Sequence, residues 1–275
     1  MNPGGRRLAV GLEYDGARFA GWQLQPGLTT IQDQVQRALA AVADHPVEAT
    51  CAGRTDAAVH ASGQVAHFDT TAIRPLRGWV LGANTRLPPE ISVLWAVEVE
   101  PQFHARHSAQ ARSYRYCILV RPTRPALLRE RAWWLRTALD ADSMHAAAQQ
   151  LAGEHDFSAF RAAECQSKTS RRRIDAIRVA ADGPLVTIDI TANAFLHHMV
   201  RNIVGSLVPV GTGEREPAWL ADVLASRDRT RAGITAPGHG LYLTRVHYPA
   251  ALEVPEFVAP DPWAMIAGQS QRGPA

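Results

Sequence analysis

The chain has 275 residues, 46% of them hydrophobic, with a formal net charge of +3. That suits one large domain or two of ordinary size with a substantial core, and no apolar run reaches the ~18 residues needed to span a membrane. The three cysteines, Cys51, Cys117 and Cys165, are far apart and odd in number, which argues for free thiols in a reducing cytoplasm and against a disulfide frame or a zinc cluster.

In chain order, "RLAVGLEYDG" (7–16) reads as a strand ending in an Asp-Gly turn. "TIQDQVQRALAAVA" (30–43) reads as an amphipathic helix, with Ile31, Val35, Leu39 and Val42 at helical spacing and Thr29 or Thr30 as cap. Residues 46–53 and 63–71 are strands flanking a loop, 74–87 is a helix and 91–99 a strand. The order then repeats. Residues 111–120 alternate like a strand, and 140–155 run as a helix from an Asp cap to a Gly stop. A hairpin turns at Asp182-Gly183. Residues 194–211 form a helix, 215–233 an extra helix with an arginine loop, and 241–249 the closing strand.

Each half reads as β-α-β-β-α-β, the ferredoxin-like or RNA-recognition-type unit. The expected fold is α+β. Two such units can join edge to edge in one extended mixed, mainly antiparallel sheet, with helices on one face and an open cleft on the other. Residues 1–105 form the first subdomain and 106–250 the second, while 251–275, rich in proline and glycine, are a loosely packed tail. The N-terminus, with two arginines and a short apolar stretch that soon meets Glu13 and Asp15, does not read as a signal peptide.

Lys168 is the only lysine among 29 Lys and Arg residues. An alanine- and arginine-rich genome accounts for that skew. Phosphate recognition is the functional reading, since arginine's planar fork pairs with phosphate oxygens. Candidate phosphate contacts are Arg18, Arg106, Arg112, Lys168, Arg171, Arg172, Arg173, Arg227, Arg229 and Arg231. The clusters at 168–173 and 227–231 are more suggestive than the isolated positions.

Asp56 lies in "CAGRTDAAVHASGQVAHFDT" (51–70), between Arg54 and His60. A Thr-Asp pair in a loop is most often an Asx-turn or a helix cap. Its alternative is a nucleophile or a metal ligand. His60 could be a base, a ligand or a packing residue. His197 and His198 are adjacent, so a helix over 194–211 sends them to different faces, and a joint metal site is not expected. On that helix Phe195, Leu196, Met199, Val200, Ile203, Val204 and Leu207 form the apolar stripe. Arg201 falls off it, on a face with His197, His198 and Gly205 by i, i+3 and i+4 spacing, and Gly205 leaves room for something to approach.

Ordered blocks over residues 8–249 resemble the bacterial TruA-type tRNA pseudouridine synthases. They include "EYDGARFAGWQLQ", "CAGRTDAAVHASGQVAHF", "FHARHSAQARSYRY", "GEHDFSAFR", "CQSKTSRR", "NAFLHHMVRNIVGSL" and "GLYLTRVHYP". One position departs: Ala58 stands where the family's "GRTDAGVHA" has glycine, a strained site if φ is positive there.

The resemblance implies an isomerase that turns uridine into pseudouridine at tRNA positions 38, 39 and 40 in the anticodon stem-loop, without cofactor or metal. It implies Asp56 as nucleophile on a flipped-out uridine, Arg201 as its ion-pair partner, and Arg54 in the place the flipped base vacates. Tyr114 is implied as the ring stacked on the uracil, Tyr116 is left to the core, and Leu243 forms an apolar wall, with Leu241 a weaker candidate. Lys168, Arg171, Arg172, Arg106 and Arg229 hold tRNA. The resemblance also implies a cytoplasmic homodimer that grips tRNA across both subunits. Two other readings compete. A non-catalytic RNA-binding protein does not need the set Arg54, Asp56, Tyr114 and Arg201. A small-molecule hydrolase does not need dispersed arginine clusters.

Overall fold

The computed structural model describes residues 5–165 and 167–255. In the first half β1 (Arg6–Tyr14), α1 (Ile31–Ala43), β2 (Thr50–Cys51), β3 (His60–Thr70), α2 (Leu76–Asn84) and β4 (Ile91–Val99) follow one another as β-α-β-β-α-β. In the second half come β5 (Ala111–Val120), β6 (Trp133–Leu135), α3 (Ala141–Gln149), β7 (Gly153–Asp156), β8 (Arg171–Asp182), β9 (Leu185–Ala192), α4 (Met199–Gly211), α5 (Trp219–Ser226) and β10 (Leu241–His247). The same pattern recurs there with β6, β7 and α5 inserted.

All ten strands share one sheet in the order β4-β1-β3-β10-β5-β9-β8-β7, with β2 on β3 and β6 on β5. Each unit thus places its fourth, first, third and second strands side by side, as a ferredoxin-like unit does. The pairs are antiparallel except β3 with β10 and β5 with β6. β1 covers one edge of β3 along its length. β2 and β10 must therefore share the other edge, β2 opposite His67 and Ala66, β10 opposite His60 and Ala61. The loop joining β2 to β3 emerges where the two units meet.

Local chemistry explains the elements. Thr30 caps α1 by accepting from Asp33 N, and Ile31, Val35 and Leu39 are buried on its inner face. Asp140 caps α3, accepting from Asp142 N and Ser143 N. β9 alternates strictly, burying Val186, Ile188, Ile190 and Ala192. Leu39 is fully buried, so Leu39→Ala would cost about 2–5 kcal/mol. No helix among the described residues is long and apolar enough to cross a membrane.

The structure corrects several sequence boundaries. The strand expected over 46–53 is only Thr50–Cys51, while its partner starts early, at His60. The helix expected over 140–155 ends at Gln149. Gly153, at φ 94°, is not its cap but opens the edge strand β7. The extra helix of 215–233 is the shorter Trp219–Ser226, followed by a single 3-10 turn at Arg229–Arg231. The helix expected over 194–211 starts only at Met199, because His198 is left-handed at φ 59° and breaks the run. Of the tail expected over 251–275, the part beyond residue 255 lies outside the described residues.

Candidate active site

The loop from Ala52 to Val59 is held from below by buried polar side chains. Gln64 of β3 donates to Gly53 O (2.6 Å) and to the Tyr14 hydroxyl (3.2 Å). Tyr14 in turn meets Thr55 Oγ1 at 2.8 Å. Thr55 O accepts from Trp22 N. A Cβ on Gly21 would lie 2.6 Å from that same carbonyl, and Gly21 sits at φ +89°, so only glycine suits this crossing. Ala58 adopts φ 63°. A side chain therefore occupies the left-handed position, where glycine is at ease and alanine is strained.

At the loop's centre Asp56 Oδ2 accepts from Arg201 Nη1 at 3.0 Å. Arg201 stands on the first turn of α4, and its Nε is fixed by Ala236 O at 2.7 Å. Ala236 N donates back to Arg201 O. This strap of chain can lie so close because α4 has Gly205: a Cβ there would fall 1.7 Å from Ile234 O. The approach that Gly205 was expected to permit is thus made by backbone of this same chain.

Tyr114 reaches the loop from β5. It is cross-strand from Leu243 of β10, and its ring meets Phe195 edge-on at 5.0 Å. Its hydroxyl and a Leu243 methyl both come within contact range of a Cβ built on Gly53. Burial, with the Asp56 charge adding to it, pushes the Tyr114 phenol well above its ordinary pKa, so it stays protonated near neutrality. Leu243 is fully buried and Leu241 nearly so. Tyr116 donates to Pro237 O from the core, as expected of a structural aromatic. Arg54 is exposed and bonded to nothing among the described residues.

The histidines depart most from expectation. His197 and His198 form a turn ahead of α4, not its first turn. Their rings stand 3.9 Å apart on the same side. His197 Nε2 lies 3.5 Å from Asp56 Oδ1, and His198 Nε2 3.3 Å from Asp56 Oδ2. The opposite-faces argument fails because it assumed a helix that has not begun. Three ligand-type atoms gather here within 4.8 Å. However, Arg201 places its own positive charge against the same carboxylate, which opposes a divalent ion. Burial lowers the pKa of His198, the nearby Asp56 charge only partly offsetting it. His60 is a packing residue: buried, stacked on Tyr242 and bonded to Gly16 N. It also faces Asp15, which Arg131 bridges at 2.6 Å.

Residues 147–249 match the family model described as tRNA pseudouridine synthase. The tRNA pseudouridine synthase A of Methylococcus capsulatus is 56% identical over 88% of this chain and 90% of its own length. That of Coxiella burnetii is 53% identical over 90% and 95%, and that of Xanthomonas euvesicatoria 55% over 90% and 98%. The chain belongs to the tRNA pseudouridine synthase A family. The family isomerises uridine to pseudouridine in tRNA.

As a tRNA pseudouridine synthase, the chain needs cations for a polyanion, and its expected cations divide by their partners. Lys168, Arg106, Arg171 and Arg231 are exposed, Arg171 with a 3.2 Å contact to Glu154. Arg172 is half-buried, donating to Ser167 Oγ and to backbone carbonyls. Arg173 pairs with Asp175, Arg227 with Asp156 and Arg18 with Glu90. Arg229 donates to Gly233 O, Asn202 Oδ1 and Thr235 Oγ1. Buried Arg112 ties β5 to Ala52 O, Ala109 O and Asn193 O. These last two act as struts. Sequence reasoning missed Tyr14, Thr55 and Gln64, whose buried polar bonds shape the loop. A lone Tyr, Thr or Gln in a strand or loop carries no pattern that signals such a role.

Proposed function

We propose that the protein converts uridine to pseudouridine at positions 38, 39 and 40 of the tRNA anticodon stem-loop, with Asp56 as nucleophile on a flipped-out base. The observation that carries this reading is the 3.0 Å bond from Arg201 to Asp56, formed beside Tyr114 in a chain of this family. The reaction breaks the N1–C1′ bond, turns the ring and bonds C5 to C1′. Atoms and electrons are conserved, so the residues need supply only position, charge and proton transfer.

In this reading Arg201 fixes one carboxylate oxygen and leaves the other to react. The target base leaves the stack, because its reacting atoms are unreachable inside it. Tyr114 offers the extruded uracil a stacking face, Leu243 walls the pocket, and the unbonded Arg54 fills the place the base leaves. Lys168, Arg171, Arg172 and Arg106 contact phosphates. We assign Arg229 instead to holding the 229–236 strap, since its donors are committed within the protein. A homodimer that grips tRNA across both subunits completes the reading. The free cysteines fit a cytoplasmic setting.

The test is to give wild-type and Asp56→Ala protein unmodified tRNA transcripts and map pseudouridine by chemical labelling and primer stops. Product at positions 38–40 from wild type alone is expected. No product from wild type, or undiminished product from Asp56→Ala, would overturn the reading.

A further inference from the structure

The isomerisation leaves a proton to be moved. In uridine C5 carries a hydrogen and N1 carries none; in pseudouridine N1 carries the hydrogen and C5 carries the sugar. Once C5 has bonded to C1′, its C5–H bond must break, the electron pair returning to the ring as the C5=C6 bond. A base takes that proton. N1, which left C1′ with the electron pair of the broken bond, ends protonated. One proton leaves carbon and one reaches nitrogen, so no oxidant or reductant enters.

Few groups on this site can serve. Arg54 and Arg201 are cations. Tyr114 is a buried phenol that holds its own proton. Asp56 Oδ2 is occupied by Arg201, and Cys165 Sγ already accepts from the His197 backbone N–H. Glu164 is exposed and acts on His198 only through its charge. The imidazoles remain, and their placements differ. His198 faces Oδ2, the oxygen that Arg201 holds, and its carbonyl accepts from Asn202 N in α4. His197 faces Oδ1, the oxygen Arg201 leaves open, at 3.5 Å. Among the described residues neither of its ring nitrogens is hydrogen-bonded.

We infer that His197 is the catalytic base that takes the C5 proton, and that His198 is a positioning residue whose tilted ring lies against it, centroids 3.9 Å apart. The inference rests on Asp56 being the nucleophile and attacking at C1′ of the ribose. A base beside the attacking oxygen is then beside C1′, and so beside the C5 that has just bonded to C1′. The adjacent pair favours one proton at a time, because two neighbouring imidazolium ions repel. His197 can therefore accept the C5 proton and pass it to solvent or to N1 before the next turnover.

The experiment is single-turnover pseudouridine formation on tRNA transcripts with hydrogen or deuterium at C5 of the target uridines, with tRNA affinity measured alongside. His197→Gln is expected to be slower by roughly 100- to 10,000-fold, with unchanged tRNA affinity and a primary isotope effect larger than wild type shows. Added imidazole should restore part of the rate of His197→Ala. His198→Gln should lose less and gain no isotope effect, as expected of a residue acting through another. A wild-type rate in His197→Gln, or a slow rate with an isotope effect no larger than wild type's, would overturn the inference. Intact tRNA binding separates either result from misfolding, and His197→Asn repeats the test with a second amide. Asp56→Asn, inactive with either isotope, tests the nucleophile independently of His197.

Discussion

Arg201 Nη1 and Asp56 Oδ2 lie 145 positions apart in sequence and 3.0 Å apart in space. Asp56 comes from a loop of the first unit and Arg201 from the first turn of a helix in the second. Arg201→Gln should therefore leave tRNA affinity unchanged but slow turnover by roughly 100- to 1,000-fold, the cost of removing one preorganised charge-stabilising donor. Separate measurement of kcat and tRNA dissociation checks this; a change confined to affinity would count against the pair's catalytic role.

Ala58 at φ 63° costs about 1–2 kcal/mol of left-handed strain. Glycine relieves it but gives back about 0.4–1 kcal/mol through the freer unfolded chain. Strain wins narrowly, so Ala58→Gly should stabilise the protein by up to about 1.6 kcal/mol, raising Tm by about 2–4 °C for each kcal/mol gained. Thermal and urea unfolding measure it. A lowered Tm would show that the backbone there is not strained.

Tyr114 stands beside the candidate nucleophile as a protonated phenol with its hydroxyl close to Gly53. Its proposed work is stacking, so the ring matters more than the oxygen. Tyr114→Phe should keep most activity, while Tyr114→Ala should lose about 1–3 kcal/mol of base stacking. Activity lost equally in both variants would transfer the role to the hydroxyl.

Binding to tRNA should weaken steeply with salt, and Lys168→Ala and Arg171→Ala should each reduce the log-log slope by about one. Arg229→Gln should leave the slope intact and lower stability instead, because its guanidinium ties Asn202 to the strap. Salt titrations of the three variants separate phosphate contacts from struts.

His67 is buried beside Arg7 and His104; burial first, then those neighbours, bring its pKa down to about 4. Its folded pKa lies below its unfolded one, so the fold favours the neutral ring. The stability this contributes is present above about pH 6.5 and is lost as pH falls toward about 4. His67→Gln should flatten that acid-side loss, read by urea unfolding at pH 7 and at acid pH.

Much of the architecture was legible because each unit shows its periods openly. The Thr30 and Asp140 caps and the alternation in β9 are local signals. β6 and β7 were not legible, since three- and four-residue strands are too short for a pattern and owe their state to pairing with β5 and β8. The start of α4 misled for a different reason. The apolar spacing runs on through Phe195 and Leu196, and a left-handed His198 carries no Gly or Pro to mark the break. That single dihedral joins His197, His198 and Asp56. The partnership of Asp56 with Arg201 came from the family resemblance, because no spacing rule reaches across the two units.

Asp56→Asn tests the central claim most directly, because it removes the charge and the nucleophilic oxygen while keeping the side chain's shape. Single-turnover pseudouridine formation should vanish while tRNA affinity stays at the wild-type value. Pseudouridine formed at a rate near wild type would contradict the assignment of Asp56.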